Sequence, residues 1–437
     1  MKNMHTTHQG WAGRALSIMN GVLIFGFSAT LVLIPEAHWW FGLAALVSSL
    51  LGCAVLASDK TYSLVFTGDD YKLVGALVFF GSVWWWNVVD SESLPFVAEE
   101  GVHHLYLWPF VAAFFLLAVR AFTPSPHWLW LGVCCGALGA GVIAIYQRAI
   151  VGLSRADNGI NAIPFGNLSL LMAVLSLVAG IYYLQQRRQL YYWLLLLTIG
   201  AAFLGFLASL LSGTRGGWIS IPFLAVLMLP ATKNLITPKL RNIALLFMTV
   251  IAVAIVAYPP SGVWLRLVEI YDNIYQYFVN KDADTSLGIR FELWRAGWTM
   301  FVENPILGVG EGAVRELLPT LVAEEVAYER GIVYPQLHSD IIDTLARRGV
   351  LGVISLLLLY VVFAWVFAKQ ALLANANLRA HLLAISGLMV VTAFFSFGLT
   401  QAMFRDLRAF SGFLGFSVAI WACLGHQTQP VAPNKSR

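Results

Sequence analysis

Apolar residues run along this chain in long blocks, and the polar stretches between them are short. The blocks are about 20 residues long, which is what a helix needs to cross roughly 30 Å of hydrocarbon. Twelve are counted, at approximately 14–34, 38–57, 72–90, 105–121, 127–147, 164–184, 190–211, 217–231, 241–258, 348–368, 378–400 and 407–425. They predict an all-α fold, a polytopic membrane protein of about 12 transmembrane helices. The eighth block is short and contains Pro222; Pro109 inside the fourth predicts a kink there. One segment breaks the pattern. Residues 259–347 open on Pro259-Pro260 and carry Asp272, Asp282, Asp284, Glu292, Glu303, Glu324 and Glu325. Helical patterning over Leu265 to Phe278 and Phe291 to Val302, with Trp264, Trp294 and Trp298, predicts a small helical cap on the membrane face. The chain therefore divides into spans one to nine (1–258), the large capping loop (259–347), and three further spans with a short tail (348–437).

Composition agrees with that reading. Of the 437 residues 59% are hydrophobic and 11% charged, against roughly 25% charged in a soluble domain. Trp39-Trp40, Trp84-Trp85-Trp86 and Tyr192-Trp193 stand at block ends, as aromatic residues do at a membrane interface. No dense basic stripe with interleaved aromatics is present, so nucleic acid is not an expected partner. Cys53, Cys134, Cys135 and Cys423 lie inside apolar blocks without metal-type spacing and read as core residues. The N-terminus lacks a small-residue cleavage site, so the first block reads as an uncleaved span.

The net charge of +4 matters less than its placement. With the N-terminus inside and one crossing per block, the inside segments hold Lys2, Arg14, Lys60, Lys72, Arg120, Arg187, Arg188, Lys233, Lys239, Arg241, Lys369, Arg379, Lys435 and Arg437. The short outside loops hold only Arg148, Arg155, Arg215, Arg405 and Arg408. Positive residues favour the cytoplasmic side, and long loops do not count in that rule. Both termini are thus expected in the cytoplasm, and residues 259–347 on the opposite, periplasmic face.

Three groups of residues could carry chemistry. Ser212-Gly213-Thr214-Arg215-Gly216-Gly217 is a glycine-bearing loop before a helix, suited to an anion through free N–H groups and the Arg215 fork; a tight turn with a snorkelling arginine reads equally well. Gln336-Leu337-His338-Ser339, followed by Asp340, Asp343 and Arg347-Arg348-Gly349, offers an imidazole able to take a proton near neutral pH, or only a polar anchor. The third is the arginine set Arg266, Arg290, Arg295 and Arg315, a cationic patch or a solvated face; a helix would put Arg290 and Trp294 on one side. Asn304 to Gly312 reads as a helix stop and glycine loop, and the chain contains no GxxxxGK[ST]. Asp282-Ala283-Asp284 has metal-site spacing but reads as a loop. Glu99-Glu100 with His103-His104 lacks a further ligand at zinc spacing.

These residues also carry a family resemblance. His338-Ser339, nine residues, then Gly349-Val350-Leu351-Gly352 resembles the signature of the bacterial O-antigen ligases. Arg290 with Trp294, then Pro305 and Gly308-Val309-Gly310, resembles the core of the wider O-antigen ligase and polymerase superfamily. Arg215 stands where that superfamily has a functional arginine. The resemblance implies a GT-C type glycosyltransferase of the bacterial inner membrane, working on its periplasmic face without ATP, metal or other cofactor. It would take O-antigen from undecaprenyl diphosphate to a sugar hydroxyl of lipid A–core oligosaccharide, with membrane lipids around it. It assigns His338 and Arg215 as catalytic, and Arg290, Arg266 and Arg295 as diphosphate ligands. An O-antigen polymerase or protein O-oligosaccharyltransferase is the alternative within the superfamily. A transporter or flippase for lipid-linked sugar is the alternative outside it.

Overall fold

A computed structural model describes residues 10–59, 66–90, 105–159, 161–185, 189–232, 263–334, 336–374 and 377–428. These residues form helices α1 (Trp11–Thr30), α2 (Ala37–Ser58), α3 (Gly68–Asp90), α4 (Trp108–Val119), α5 (Pro126–Ile145), α6 (Ala162–Leu184), α7 (Gln189–Leu211) and α8 (Ser220–Thr232). Then come α9 (Val263–Phe278), α10 (Ser286–Glu303), α11 (Ala313–Ala323), α12 (Asp340–Leu373), α13 (Leu378–Gly398) and α14 (Leu407–Thr428). Eleven of the twelve blocks map onto helices of the bundle, and the ninth, 241–258, lies outside the described residues. Among the described residues, eight helices are long and apolar enough to cross a membrane; α4 and the stretch Gly216–Pro230 are shorter apolar helices. Trp40, Leu50, Phe203, Val226 and Val361 point outward from the bundle, the face a bilayer covers.

Contacts at the two ends show how the helices alternate. At one end, the Asp69 carboxylate of α3 accepts hydrogen bonds from Lys369 (2.9 Å) and Gln370 of α12. Next to it Asp70 pairs with Arg120 at 3.0 Å and accepts from Trp421 Nε1. At the other end, Asn158 donates to the carbonyls of Val32 and Leu33, Thr214 donates to that of Ala162, and Arg408 Nε donates to that of Pro35. The loops carrying Arg155, Arg215 and Gln401 and the start of α12 therefore share one end.

The cap covers that end. It has a core of its own, built from Leu293, Ala296 and Met300 of α10, Val314, Leu318 and Leu321 of α11, and Leu337 and Ala346 from the chain entering α12. The spacing three to four apart in α10 is that of one apolar helix face. A Cβ at Gly297 would fall within 2.7 Å of Ile342 and Leu337 side-chain carbons, so α10 approaches the first turns of α12 closely there.

Two sequence expectations are corrected. Pro109 does not kink a helix. It is the second residue of α4, where its missing N–H is not needed. The tenth span starts earlier than its apolar block, because Asp340 to Arg348 already form helical turns before a break at Gly349 (φ 59°, ψ −156°). Only glycine adopts that conformation readily, and a Cβ there would lie 2.5 Å from the Ile306 backbone. Gly308 (φ 72°) is the counterpart, its backbone against that of Arg347 and Arg348. Val309 and Gly310 donate to the carbonyls of Ala346 and Arg347, and Val350 donates to that of Pro305. The two glycine stretches cross each other, which is the physical content of their shared motif.

Candidate functional site

His338 sits at the entry to α12, buried and with a left-handed backbone (φ 50°). That conformation costs an L-residue on the order of 1–2 kcal/mol and persists only where surrounding contacts demand it. Those contacts are visible. The Asp343 carboxylate accepts from Leu337 N–H at 3.1 Å and from Arg347 Nε at 3.0 Å. Gln401 Oε1, from the loop between α13 and α14, lies 2.7 Å from His338 Nδ1. The Tyr334 ring stands edge-on at 5.0 Å. With the carboxamide oxygen as acceptor, Nδ1 carries the proton and Nε2 keeps its lone pair. Nε2 makes no hydrogen bond among the described residues. Burial lowers the imidazole pKa below its ordinary value of 6.5; the Gln401 contact opposes this, and the nearby Arg290 cation adds to it.

Arg290, whose charge reaches the imidazole, is incompletely satisfied. Nη1 donates weakly to Ser286 (3.2 Å to Oγ), and Nε is buried with no partner. Trp294 Nε1, one turn on, is buried without a partner as well. Burial lowers the Arg290 pKa, and the like charges of Arg155 and Arg215 press in the same direction, so both guanidiniums lie within electrostatic reach of Arg290. Arg155 Nε donates to the Ser212 carbonyl at 2.7 Å and Nη2 lies 3.5 Å from Thr214 Oγ1, which shapes the loop that presents Arg215. Arg215 pairs with Glu269 of α9 at 2.6 Å, both partners partly exposed.

Of the residues singled out from the sequence, the structure brings Arg290 within electrostatic reach of both His338 and Arg215. Arg295 is engaged elsewhere, with Nε donating to Val326 O (2.6 Å) and Nη2 to Glu325 O and the Glu292 carboxylate, so it ties the cap together. Arg266 lies in the first turns of α9, and its side chain is outside the described residues. Neither Asp340 nor Asp343 bonds to the imidazole. Asp340 Oδ1 accepts from Phe404 N–H, and Asp343 acts through the backbone of Leu337. Two residues were not singled out from the sequence. Gln401 is one neutral polar residue among apolar ones, and Arg155 was only counted among the five outside bases; its signal was its side of the membrane.

A second charged group supports the first from beneath. The Glu311 carboxylate is hydrogen-bonded by Arg348 and Arg405, and Arg347 donates to the Glu311 carbonyl. Burial works against the Glu311 charge, but Arg405, Arg348 and Arg347 outweigh it and hold its pKa well below the usual carboxylate range. Arg348 also stacks over the Trp84 ring, 4.1 Å from its centroid. Asp282 and Asp284 are occupied otherwise: Asp282 Oδ1 caps the Asp284 N–H, and Asp284 pairs with Arg330 at 2.6 Å. Among the described residues no three His, Cys, Asp or Glu side chains gather as metal ligands. Glu99, Glu100, His103 and His104 lie outside the described residues.

Comparison with known proteins adds to this geometry. Residues 200–357 match the family model described as O-antigen ligase. An uncharacterized protein of Haemophilus influenzae is 23% identical over 407 residues, covering 92% of this chain and 98% of that one. The O-antigen ligase of Escherichia coli is 26% identical over 165 residues, 37% of this chain and 39% of its own. Arg155 and Gln401 fall outside the matched segment, whereas Arg215, Arg290 and His338 fall within it. The segment that is similar to the O-antigen ligase family, 200–357, is the one that contains the His338–Gly352 and Arg290–Gly310 motifs.

Proposed function

We propose that the protein is an O-antigen ligase, moving the finished glycan from undecaprenyl diphosphate to a sugar hydroxyl of lipid A–core on the periplasmic face of the inner membrane. The observation that carries this reading is an imidazole with Nδ1 held by Gln401 and Nε2 open, within electrostatic reach of Arg290, which is in turn within reach of Arg155 and Arg215, at one end of a membrane bundle. In the reaction the acceptor O–H gives its proton to His338 Nε2. The oxygen attacks the anomeric carbon from the face opposite the diphosphate, and the bond from that carbon to the phosphate oxygen breaks. The configuration inverts, and undecaprenyl diphosphate departs carrying the electron pair. The glycosyl–diphosphate bond supplies the energy, so no nucleotide enters.

Arg290, Arg215 and Arg155 answer the charge that develops on the leaving group. Glu269 fills the Arg215 fork as an anionic placeholder, which the diphosphate displaces. Arg290 is the strongest candidate, since its Nε has no acceptor of its own. Preorganised donors of this kind contribute about 10²–10³ in turnover each. Arg290→Ala is therefore expected to lower kcat by that factor, and Arg290→Lys to recover little of it, because a point charge lacks the planar fork. Single-turnover transfer from lipid-linked glycan checks this; full activity of the lysine variant would remove the fork from the account.

The pH profile tests the base. A base works in its neutral form, and burial depresses the His338 pKa, so the acidic limb of kcat/KM is expected below pH 6.5. Gln401→Glu places a carboxylate against Nδ1 and favours the imidazolium, which should move that limb to higher pH. A limb unmoved by Gln401→Glu would mean that His338 is not the titrating group.

A polymerase of the same superfamily would use the same chemistry; the spacing from His338 to Gly352 favours the ligase. A transporter has less support, since charges near span midpoints would mark its path. Among the described residues the charged side chains of the spans sit towards helix ends, at Arg14, Asp69, Asp70, Lys72, Lys369, Arg379, Arg408 and the four before the Gly349 break of α12, Asp340, Asp343, Arg347 and Arg348.

A further inference from the structure

A surface helix in water turns its apolar stripe to the core and its polar side outward. Helix α9 does the reverse. Its polar side holds it to the protein. Glu269 pairs with Arg215 at 2.6 Å, and the Tyr277 hydroxyl donates to the buried Glu292 carboxylate at 2.7 Å. Asn273 and Gln276, on the same side, are half-buried. Val268, Tyr271, Ile274, Tyr275 and Phe278 stand on the opposite side, and all are exposed, Tyr271 at 69% and Phe278 at 59%. At roughly 100° per residue these positions fall within one arc of about 120°. The Tyr271 and Tyr275 rings stack there, 6.4 Å between centroids. A contiguous apolar face of this kind marks a surface that meets another apolar phase.

The position of α9 says which phase. The Arg215 that grips Glu269 stands directly before the apolar stretch Gly216–Pro230. Ile219, one helical turn beyond Arg215, and then Phe223 and Val226 are exposed on the outside of that stretch, where the bilayer covers the bundle. Helix α9 is therefore held at the rim, at the height where lipid-facing side chains begin. The length of the chain agrees. From Tyr258, the last residue of the apolar block 241–258, to Val263 at the start of α9 is five residues, a reach of at most about 18 Å even when extended. Between Val268 and Val279 there are two acidic residues, Glu269 and Asp272, and no Lys or Arg. The helix thus has no charge attraction to anionic headgroups, and its apolar face is what a bilayer can hold.

We propose that α9 lies flat on the bilayer rim, with Val268, Tyr271, Ile274, Tyr275 and Phe278 sunk among the acyl chains of the nearer leaflet and the Tyr271 and Tyr275 hydroxyls at headgroup level. Interfacial helices bury such a face by roughly 5–10 Å, and tyrosine favours that depth. The seat does not depend on the reaction assigned to His338. It fixes the height of Glu269, and so keeps the Glu269–Arg215 pair at the bilayer surface.

Photocrosslinking of the full chain in proteoliposomes tests this. Benzoylphenylalanine is placed singly at Tyr271, Ile274 and Phe278, with Phe223 as the lipid-facing reference and the exposed cap residue Glu324 as the water-facing one. The vesicles are phosphatidylethanolamine with a minority of undecaprenyl phosphate, and adducts are weighed by mass spectrometry. At Tyr271 and Phe278 the replacement keeps an aromatic ring, so folding is not at stake. The three α9 positions should gain the mass of one phosphatidylethanolamine in a yield matching Phe223, with none at Glu324. Background yield on α9 while Phe223 reacts would overturn the proposal. So would a crosslink to a second copy of the chain, or adducts with undecaprenyl phosphate in excess of its share of the vesicle, since the face would then hold a protein partner or a polyprenyl tail.

Discussion

His338→Ala is expected to reduce transfer by about 10²–10⁴, the usual contribution of a positioned general base, with little change in donor affinity. The reason lies in the separation of roles. In the proposed mechanism the imidazole takes the acceptor proton through Nε2, while the guanidiniums of Arg290, Arg215 and Arg155 meet the diphosphate. Removing the ring leaves the cations in place, so the donor should bind as before. Asp343 still holds the Leu337 N–H, and the cap core includes Leu337, so the variant should fold. Comparing kcat with the donor KM in purified protein decides it. Wild-type turnover in His338→Ala removes the base from this mechanism; a matching rise in donor KM would make His338 a donor ligand.

Glu311→Ala should destabilise the protein by about 3–5 kcal/mol, the cost of leaving buried charge uncompensated. Three guanidiniums surround this one carboxylate, and Arg347 and Arg348 are each 2% exposed. Water cannot replace it. The consequence is local as well as global, since Arg347 also holds Asp343, which holds the backbone next to His338. Glu311→Gln keeps some hydrogen bonds and should lose less. Thermal unfolding in nanodiscs, followed by the intrinsic tryptophans, measures both. Because the Glu311 pKa is depressed on folding, its stabilisation is complete above the unfolded carboxylate value near 4.3 and fades as pH falls below it. Unchanged melting of Glu311→Ala would mean that the arginines find other partners.

The spans were legible because a bilayer imposes a length and a hydrophobicity that composition cannot hide. That the loop of Arg215 and the entry to α12 share one end of the bundle was legible too, since each crossing inverts the side. What stayed hidden depends on tertiary approach. The kink at Gly349 follows from Pro305-Ile306 lying against it, a contact 43 residues away in sequence. Gln401 is set against His338 by the turn between α13 and α14, with no local pattern to announce it. Arg290 and Arg295 looked equivalent in sequence. Five residues on a helix turn the second away from the first, and the carbonyls of Glu325 and Val326 capture it. Asp343 works one residue before the imidazole, through the Leu337 N–H, which its place in the sequence does not announce.

The central claim, that one basic imidazole and an arginine cluster transfer a glycan between two lipids, is tested most directly by reconstitution. Purified protein, undecaprenyl diphosphate-linked O-antigen and lipid A–core are combined with chelator and without nucleotide. The product is resolved by mass on a gel and its new linkage by NMR. The account predicts glycan joined to lipid A–core with inverted anomeric configuration, and no such product from Arg290→Ala over the same period. Elongation of the lipid-linked glycan with lipid A–core left untouched, or transfer with retained configuration, would contradict it.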